Sequence, residues 1–320
     1  MNDIKIQSNN FNKLALIEIE KKNYNKAIVL LGKALAEERD NFELYLNRGK
    51  CFEKCRKLKQ AINDYDKSID LNPNNSSTYK FRGNVRSKFK KFNLAIEDFT
   101  KAIELNPKDV NSLNNRGIAK EMIDDYLGAI DDYSRAIEIN PRFASPYCNR
   151  GIARDHVKDY QKAMADYSKA IELSPNFVSA LNNRGILKVK LELYLEAIED
   201  YTKAIEKNPK FVNAYSNRAI AKIELKDYEG ALLDFQRAIE ISPKFSSPYL
   251  NRALLYRDLK QYNNALNDLN KAIEINQKDA VAFFHRGTIN QSLKNLDEAN
   301  QDFKKASSLG HLEAANLLKN

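Results

Sequence analysis

The sequence is poor in the features that mark several large protein classes. It has no tryptophan, 3 cysteines, 10 glycines and 8 prolines in 320 residues, and this composition excludes collagen-like and low-complexity chains. The longest apolar runs, 27–31 and 280–284, are far shorter than the ~20 residues of a membrane-spanning helix, so no membrane association is predicted. Residues 1–7 have no apolar core of a secretory signal. The odd cysteine count argues against a disulfide framework and predicts a reducing location, the cytoplasm.

The basic excess of the chain is confined to one end. The formal net charge is +9, and residues 1–109 hold 22 lysines and arginines against 15 acidic residues. Residues 110–245 hold 20 of each, and residues 246–320 hold 10 against 8. A nucleic-acid-binding protein usually has a continuous basic face, so this distribution disfavours nucleic acid as the partner.

One short motif returns along the chain at a constant interval. Asn47-Arg48-Gly49 recurs every 34 residues with changes in its first and third residues, and its arginine is repeated as Arg48, Arg82, Arg116, Arg150, Arg184, Arg218, Arg252 and Arg286. One interval before Gly49 lies Ala15, in a weaker copy. The repeat frames are therefore 8–41, 42–75, 76–109, 110–143, 144–177, 178–211, 212–245, 246–279 and 280–313. The sequence thus predicts one uninterrupted array over 1–320.

Each repeat has the pattern of two amphipathic helices. In the first half, an aromatic residue or leucine stands at position 4 and a small residue at position 8, as in Tyr147 and Gly151. In the second half, Ala129 and Ala136 show the small residues of positions 20 and 27, and Tyr133 the aromatic of position 24. Intervals of three, four and seven residues put each set on one helix face. A proline at position 32 of most repeats is predicted to end the second helix, because it has no amide hydrogen.

This pattern resembles the tetratricopeptide repeat over nearly the whole chain. The interval, the small residues and the proline agree with that family, while the absence of tryptophan and the arginine at position 7, where the family usually has leucine, depart from it. The resemblance implies an all-α solenoid, a right-handed superhelix of antiparallel helix pairs whose first helices line a concave groove. We expect residues 311–320 to form a short capping helix, with Leu312, Leu317 and Leu318 covering the apolar face of the last repeat.

An aspartate at position 23 accompanies the arginine at position 7. Both residues occur in the second to ninth repeats, whereas the first repeat has Leu14 and Leu30 at the two places. Because the two positions change together, we expect their side chains to touch. An unpaired ion in a desolvated site costs about 3–5 kcal/mol. The sequence therefore predicts internal ion pairs that fix helix register, rather than a row of arginines for phosphate binding.

By the same resemblance, position 6 faces the groove, and asparagine occupies it in most repeats. These residues are Asn47, Asn115, Asn149, Asn183, Asn217 and Asn251. An asparagine amide matches the C=O and N–H groups of a peptide backbone, and the row is similar to the asparagine ladder in the repeat arm of O-linked N-acetylglucosamine transferases. The alternative is that these asparagines are helix-surface residues with local hydrogen bonds.

An aliphatic stripe follows at position 9, in the residues Ile118, Ile152, Ile186 and Ile220. An exposed row of aliphatic side chains suggests that a partner covers it. The equal alternative is that these isoleucines pack against the adjacent first helix.

The groove is predicted to be basic in the second and third repeats, where its residues include Lys50, Lys54, Lys80 and Lys88. Lys80, Asn84 and Asn115 match three places of the carboxylate clamp of chaperone-binding tetratricopeptide proteins. Ser145 and Asn149 stand at the two remaining places, which in that clamp are lysine and usually arginine. These cations predict an acidic or C-terminal protein segment as the partner at this end. The alternative is a solvated, lysine-rich surface.

No motif for catalysis or cofactor binding occurs in the sequence. Glycine-rich phosphate loops, nucleophile elbows and paired catalytic carboxylates are missing. Cys51 and Cys55 have no neighbouring cysteine or histidine to complete a metal site, so we interpret them as core residues. We predict a non-enzymatic adaptor without cofactor or metal that binds an extended peptide segment in its groove. Two alternatives are a single-stranded RNA-binding repeat protein and a structural subunit that uses its convex face.

Overall fold

The computed structural model describes residues 2–318, and for residues 2–6 the backbone alone. In this range the chain forms nineteen helices and no strand, which confirms the predicted all-α class with nine helix pairs and a short final helix. The helices are α1 (Asn2–Glu20), α2 (Tyr24–Glu37), α3 (Phe42–Lys54), α4 (Leu58–Leu71), α5 (Ser76–Lys88), α6 (Phe92–Leu105), α7 (Val110–Glu121), α8 (Tyr126–Ile139), α9 (Ala144–His156), α10 (Tyr160–Leu173), α11 (Val178–Lys190), α12 (Tyr194–Lys207), α13 (Val212–Glu224), α14 (Tyr228–Ile241), α15 (Ser246–Asp258), α16 (Tyr262–Ile275), α17 (Ala280–Ser292), α18 (Leu296–Ser308) and α19 (Leu312–Leu317). Odd-numbered helices up to α17 are the first helices of the repeats.

The helices group into two compact units, one ending at Leu173 and the other beginning at Ser174. The N-terminal unit holds α1 to α10, and the C-terminal unit holds α11 to α19. Within each unit, a first helix packs on the second helix of its own repeat, and that second helix packs on the next first helix. The single array over 1–320 remains a prediction.

The small residues of the repeat allow the helices to approach closely. Ala129 and Ala136 of α8 are fully buried. Gly151 lies over the buried ring of Tyr167, and a Cβ atom at this glycine would lie 2.7 Å from a ring carbon. Glycine at position 8 therefore makes room for a large aromatic side chain at position 24.

The turn inside each helix pair contains a residue in the left-handed conformation. Position 15 has φ between 58° and 64° in every repeat, and none of these residues is glycine. This conformation costs roughly 1–2 kcal/mol for a residue with a side chain. Packing of the two helices must therefore stabilise the turn.

Six of the second helices end two residues before a proline, as predicted, while α2, α16 and α18 end without one. α8 ends at Ile139, and Asn140 and Pro141 follow. The side-chain oxygen of Asn140 accepts a hydrogen bond from the N–H of Arg142 at 3.2 Å, and the equivalent asparagines of four other repeats make the same turn. The turn and the missing proline N–H together stop the helix.

The predicted ion pairs form in all the repeats that carry the arginine and the aspartate. Arg150 is typical: its Nε and Nη2 atoms donate to the two carboxylate oxygens of buried Asp166 at 3.0 and 2.8 Å. Its Nη1 atom also donates to Ser134 Oγ of the preceding repeat at 2.9 Å. The sequence did not predict this third contact. The arginine therefore joins the two helices of its own repeat to the repeat before it.

The C-terminal cap differs from the prediction in the residues that hold it. Leu312 is 80% exposed and Leu317 and Leu318 are also exposed, so the expectation that these leucines cover the last repeat is wrong. α19 packs on α18, with Ala314 fully buried. His311 anchors it, because its ring stacks on Phe284 at 4.1 Å between centroids. Residues 319–320 of the predicted cap lie outside the described residues.

Candidate functional site

The first helices of successive repeats contact one another within each unit. In the N-terminal unit α3 contacts α5, α5 contacts α7, and α7 contacts α9; in the C-terminal unit α11 contacts α13, α13 contacts α15, and α15 contacts α17. The predicted ladder residues are all half-buried, namely Asn47, Asn115, Asn149, Asn183, Asn217 and Asn251. They are therefore partly desolvated amides rather than free-standing surface groups.

In the N-terminal unit, four side-chain amides form a chain of hydrogen bonds that runs in one direction. Asn149 Nδ2 donates to Asn114 Oδ1 at 3.0 Å. Asn114 Nδ2 donates in turn to Asn115 Oδ1 at 3.4 Å, and Asn115 Nδ2 donates to Asn84 Oδ1 at 2.9 Å. Each donor amide keeps a second N–H that this chain does not use.

A shorter amide chain lies in the C-terminal unit. Asn217 Nδ2 donates to Asn182 Oδ1 at 2.9 Å, and Asn182 Nδ2 donates to Asn183 Oδ1 at 3.4 Å. The local hydrogen bonds that were the alternative to a ladder are therefore present. They also fix the direction in which each amide points, so they are compatible with peptide binding.

Two members of these chains were missed by the sequence reasoning. Asn114 and Asn182 stand at position 5 and are buried to 7% and 6% exposure. The available signal was the Asn-Asn doublet at 114–115 and 182–183, because only these two repeats have asparagine at both places. Position 5 was not considered in the ladder prediction.

The aliphatic stripe divides into an exposed part and a packed part. Ile118 is 38% exposed and Ile152 is half-buried. Ile186 packs against the cluster of Ala197, Tyr201 and Ala221, and Ile220 packs against a cluster that includes Phe235. In the C-terminal unit, the stripe thus contributes to the core.

Two of the four predicted basic residues lie close to one aromatic ring. Lys50 Nζ lies 4.8 Å and Lys80 Nζ 5.9 Å from the ring centroid of Phe81. Burial, together with the charge of Lys80, lowers the pKa of Lys50. Phe81 and Asn84 follow Lys80 on α5, and Asn115 is hydrogen-bonded to Asn84. Lys50, Lys80, Phe81, Asn84 and Asn115 are termed the lysine–asparagine surface below.

Carboxylates already neutralise part of the predicted basic cluster. Lys80 Nζ lies 2.9 Å from Asp109 Oδ2, and Lys88 Nζ lies 2.6 Å from Glu53 Oε1. Lys54 and Lys88 are exposed. Of the three residues that match the carboxylate clamp, Lys80 is thus salt-bridged and Asn84 and Asn115 are bonded to each other.

The last repeat has histidine at the ladder position. Arg257 Nη1 lies 3.1 Å from His285 Nδ1. The ring of Phe284 contacts both histidine rings: it meets His285 edge-on and stacks on His311. Burial, with smaller contributions from Arg257 and His311, lowers the pKa of His285 to about 4. The imidazole is therefore neutral and can accept a hydrogen bond from the guanidinium.

The three cysteines form no disulfide, and two of them lie in the packed interior. Cys51 and Cys148 are buried, and burial raises the pKa of Cys51 to about 11. Across residues 2–318, no three histidine, cysteine or acidic side chains cluster as metal ligands would. Nor does any helix in that range have the length and apolar content needed to cross a bilayer.

Solved structures with a similar chain path are repeat proteins. A tetratricopeptide repeat protein from Parabacteroides merdae is 24% identical, with a TM-score of 0.61 over 76% of this chain and 97% of that one. The anaphase-promoting complex hetero-tetramer Cut9-Hcn1 is 16% identical, with a TM-score of 0.61 over 92% of this chain and 58% of that one. The protein MamA is 30% identical, with a TM-score of 0.48 over 53% of this chain and 92% of that one. No curated protein matches the sequence significantly.

Family models agree with the repeat frames. A tetratricopeptide repeat model matches residues 42–75, 144–177, 178–211, 212–245 and 247–279, which is more than half of the chain. Two further models of the same repeat match residues 77–109 and 99–131. The match over 99–131 is shifted from the repeat frames and runs from α6 through α7 into α8. This chain belongs to the tetratricopeptide repeat family.

Proposed function

We propose that this chain is a non-enzymatic protein-interaction scaffold whose N-terminal unit binds an extended, acidic segment of another protein. The observation that carries the proposal is the lysine–asparagine surface. There, two ammonium groups lie over the ring of Phe81, next to the hydrogen-bonded amides of Asn84 and Asn115. A partner carboxylate would bind Lys50, and partner backbone groups would bind the unused N–H and C=O groups of the amides.

The lowered pKa of Lys50 supports this proposal. A half-buried ammonium group close to a second one is destabilised, and a carboxylate that binds between them relieves that repulsion. Among the four predicted lysines, Lys80 and Lys88 already have carboxylate partners. Lys50 is thus the cation whose environment would improve most on binding an acidic residue.

The remaining predicted residues have defined places in the proposal. Ile118 and Ile152 would contact apolar side chains of the bound segment, and Asn149 would orient Asn115 through Asn114. Asn183, Asn217 and Asn251 would bind backbone in the same way in the C-terminal unit. The cytoplasm remains our prediction for the location of the protein.

Single-stranded RNA is disfavoured by the same surface. RNA binding of this kind needs open aromatic faces for base stacking and a run of available cations. Phe81 stacks on Tyr65 at 6.2 Å and has Lys50 over its ring, while Lys80 and Lys88 are salt-bridged. The surface is thus better suited to a short acidic peptide.

Binding of a labelled peptide of alternating glutamate and glycine, measured by fluorescence anisotropy, tests the proposal. We expect wild-type protein to bind it, and the glutamine–glycine analogue to bind much more weakly. Lys50→Met should weaken binding about tenfold, the usual loss for one charge-assisted contact. Lys67→Met is the matched control, because Lys67 is an exposed lysine of α4 that pairs with Asp70. Equal affinity of wild-type and Lys50→Met protein for the glutamate peptide would contradict the proposal.

A further inference from the structure

Two glutamates occupy the same place in different repeats of the N-terminal unit. Glu53 of α3 and Glu121 of α7 both stand at position 12. A tyrosine at position 24 donates to each of them: Tyr65 Oη to Glu53 Oε2 at 3.3 Å, and Tyr133 Oη to Glu121 Oε1 at 2.9 Å. The two carboxylates are therefore held in the same way by their own repeats.

The two glutamates differ in the side chain that the following repeat places beside them. Lys88 reaches back to Glu53, with 2.6 Å between Nζ and Oε1. The residue equivalent to Lys88 in the repeat after Glu121 is His156. Its ring instead stacks on Tyr126, with 4.4 Å between centroids and 8° between planes. Glu121 thus lacks the cation that its counterpart has.

Groups around Glu121 do not replace that cation. The titratable side chains that interact with Glu121 are Tyr126 and Tyr133 of α8 and Tyr167 of α10, and among the described residues no cation influences its pKa. Burial raises the pKa of Glu121 to about 7, and the hydrogen bond from Tyr133 only partly opposes this rise. Glu121 is half-buried rather than enclosed, so a ligand can reach the residue.

Apolar side chains next to Glu121 suit the stem of a long cationic residue. Ile118 and Met122 are 38% and 54% exposed, and both lie on the α7 turn that carries Glu121. Lysine and arginine bury their methylene groups against such side chains while the charged head stays polar. A carboxylate beside this patch therefore offers both halves of a binding site for a basic side chain.

We infer that Glu121 is a specificity residue that binds a lysine or arginine side chain of the partner segment, in the place that Lys88 takes at Glu53. The inference rests on the proposed function, because Asn115 of the lysine–asparagine surface and Glu121 share α7. The partner is then a segment with an acidic residue for Lys50 and a basic residue for Glu121. Binding of the basic residue removes a proton from the fraction of Glu121 that is protonated.

A pair of peptides tests the inference. Each consists of the alternating glutamate–glycine sequence, followed by a glycine spacer of graded length and then by lysine in one peptide and methionine in the other. At pH 8 we expect wild-type protein to bind the best lysine peptide about tenfold more tightly than its methionine twin. This preference should shrink as the pH falls below 7, because protonated Glu121 carries no charge. Calorimetry in buffers of different ionisation enthalpy should show proton release at pH 7 with the lysine peptide alone.

Three variants identify the residue responsible. Glu121→Gln should abolish the lysine preference but keep the binding of the methionine peptide, while the matched control Glu53→Gln should keep the preference. His156→Lys should also abolish it, because the new ammonium group would pair with Glu121 as Lys88 does with Glu53. Circular dichroism confirms that each variant is folded.

The two proposals fail in different ways. If the methionine peptide binds and lysine adds nothing at any spacer length, or if its advantage survives Glu121→Gln or His156→Lys, the inference is overturned and the proposed function stands. If neither peptide binds wild-type protein, the proposed function is wrong and the inference fails with it.

Discussion

In the N-terminal unit burial raises the pKa of Glu121 to about 7, whereas in the C-terminal unit burial lowers the pKa of His285 to about 4. Both residues lie on first helices, and in both cases the fold favours the uncharged form. Each buried aspartate at position 23 has an arginine within hydrogen-bonding distance, and burial still raises the pKa of Asp64 and of Asp98. Side chains on the first helices are thus desolvated enough that a charge on them needs a partner, either inside the protein or on a ligand.

The largest expected effect comes from removing an aspartate that holds two cations. Asp132 of the N-terminal unit pairs with Arg116 and with Lys120 at 2.9 Å, whereas Asp268 of the C-terminal unit pairs with Arg252. Asp132→Ala should lower the free energy of unfolding by about 4 kcal/mol, since it leaves buried cations uncompensated. Asp268→Ala should cost about 1 kcal/mol less, because a single cation is left unpaired. Urea denaturation measures both, and equal losses would show that the second cation contributes nothing.

The next effect concerns the glycine over the aromatic ring. Gly151→Ala should destabilise the N-terminal unit by about 2 kcal/mol, since the new methyl group overlaps the ring of Tyr167. The C-terminal unit already has this alanine twice, at Ala219 with the smaller aromatic Phe235 beneath it and at Ala253 with Leu269 beneath it. The double variant Gly151→Ala, Tyr167→Leu copies the pair of Ala253 and Leu269. We expect Gly151→Ala to lower stability less when residue 167 is leucine than when it is tyrosine. Thermal melts of the single and double variants make the comparison, and the same alanine penalty in both backgrounds would contradict the steric explanation.

A smaller effect is expected from acid. The pKa of His285 in the folded state is about 4, below the ordinary value of roughly 6.5 in an unfolded chain. As the pH falls from about 6.5 towards 4, the unfolded chain therefore gains a proton that the folded protein does not, and stability is lost. His285→Asn, which installs the ladder residue of the other repeats, should remove about 1 kcal/mol of this loss after allowance for solvent screening. Urea midpoints at pH 7 and pH 5 test this, and an unchanged pH dependence would contradict it.

Glu121 should shift stability in the opposite sense. Its folded-state pKa is raised to about 7, so the stability that it contributes at low pH is lost as the pH rises towards 7. Glu121→Gln should thus become relatively more stable than wild type as the pH increases over this window. The same urea series, extended to pH 8, measures the change. Because the expected pH dependence is opposite to that of His285, it also serves as a control for the His285 result.

The smallest effect should be the same in both units. Asn149→Ala and Asn217→Ala each remove a donor to a buried amide oxygen, of Asn114 and Asn182 respectively. Each variant should lose about 0.5–1 kcal/mol, the net value of one neutral hydrogen bond. Hydrogen exchange of α7 and α11 reports the loss locally. A larger loss in one unit would show that the longer amide chain of the N-terminal unit is cooperative.

Local rules explain which features could be predicted from the sequence. Helix pairs follow from the spacing of small and aromatic residues, and helix ends follow from proline. Arg150 and Asp166 were predictable because their positions change together in the first repeat. The contact of Arg150 with Ser134 was not, because the partner stands at position 25 in each case but its residue type varies between repeats, as in Asp66 and Gln236.

The candidate site was less predictable because its properties depend on neighbouring repeats. Asn115 and Asn149 could be found because asparagine recurs at position 6 of the repeats. The hydrogen bonds that link them pass through Asn114, which stands at position 5, where asparagine does not recur regularly. The raised pKa of Glu121 depends on burial and on the absence of a lysine one repeat later. The cap was predicted from its leucines, yet α19 packs on α18 through the face that carries Ala314 and leaves the leucines exposed.

The reach of each arginine in both directions gives successive repeats a contact that survives a change of neighbour. Arg116 donates to a hydroxyl, Thr100, and Arg150 donates to another, Ser134. If residues 110–143 were excised, Arg150 would meet Thr100 in place of Ser134 and would keep a hydroxyl partner, whereas Asn149 would lose Asn114. The arginine contacts therefore tolerate the loss of a module, while the amide chain determines which modules must stay adjacent.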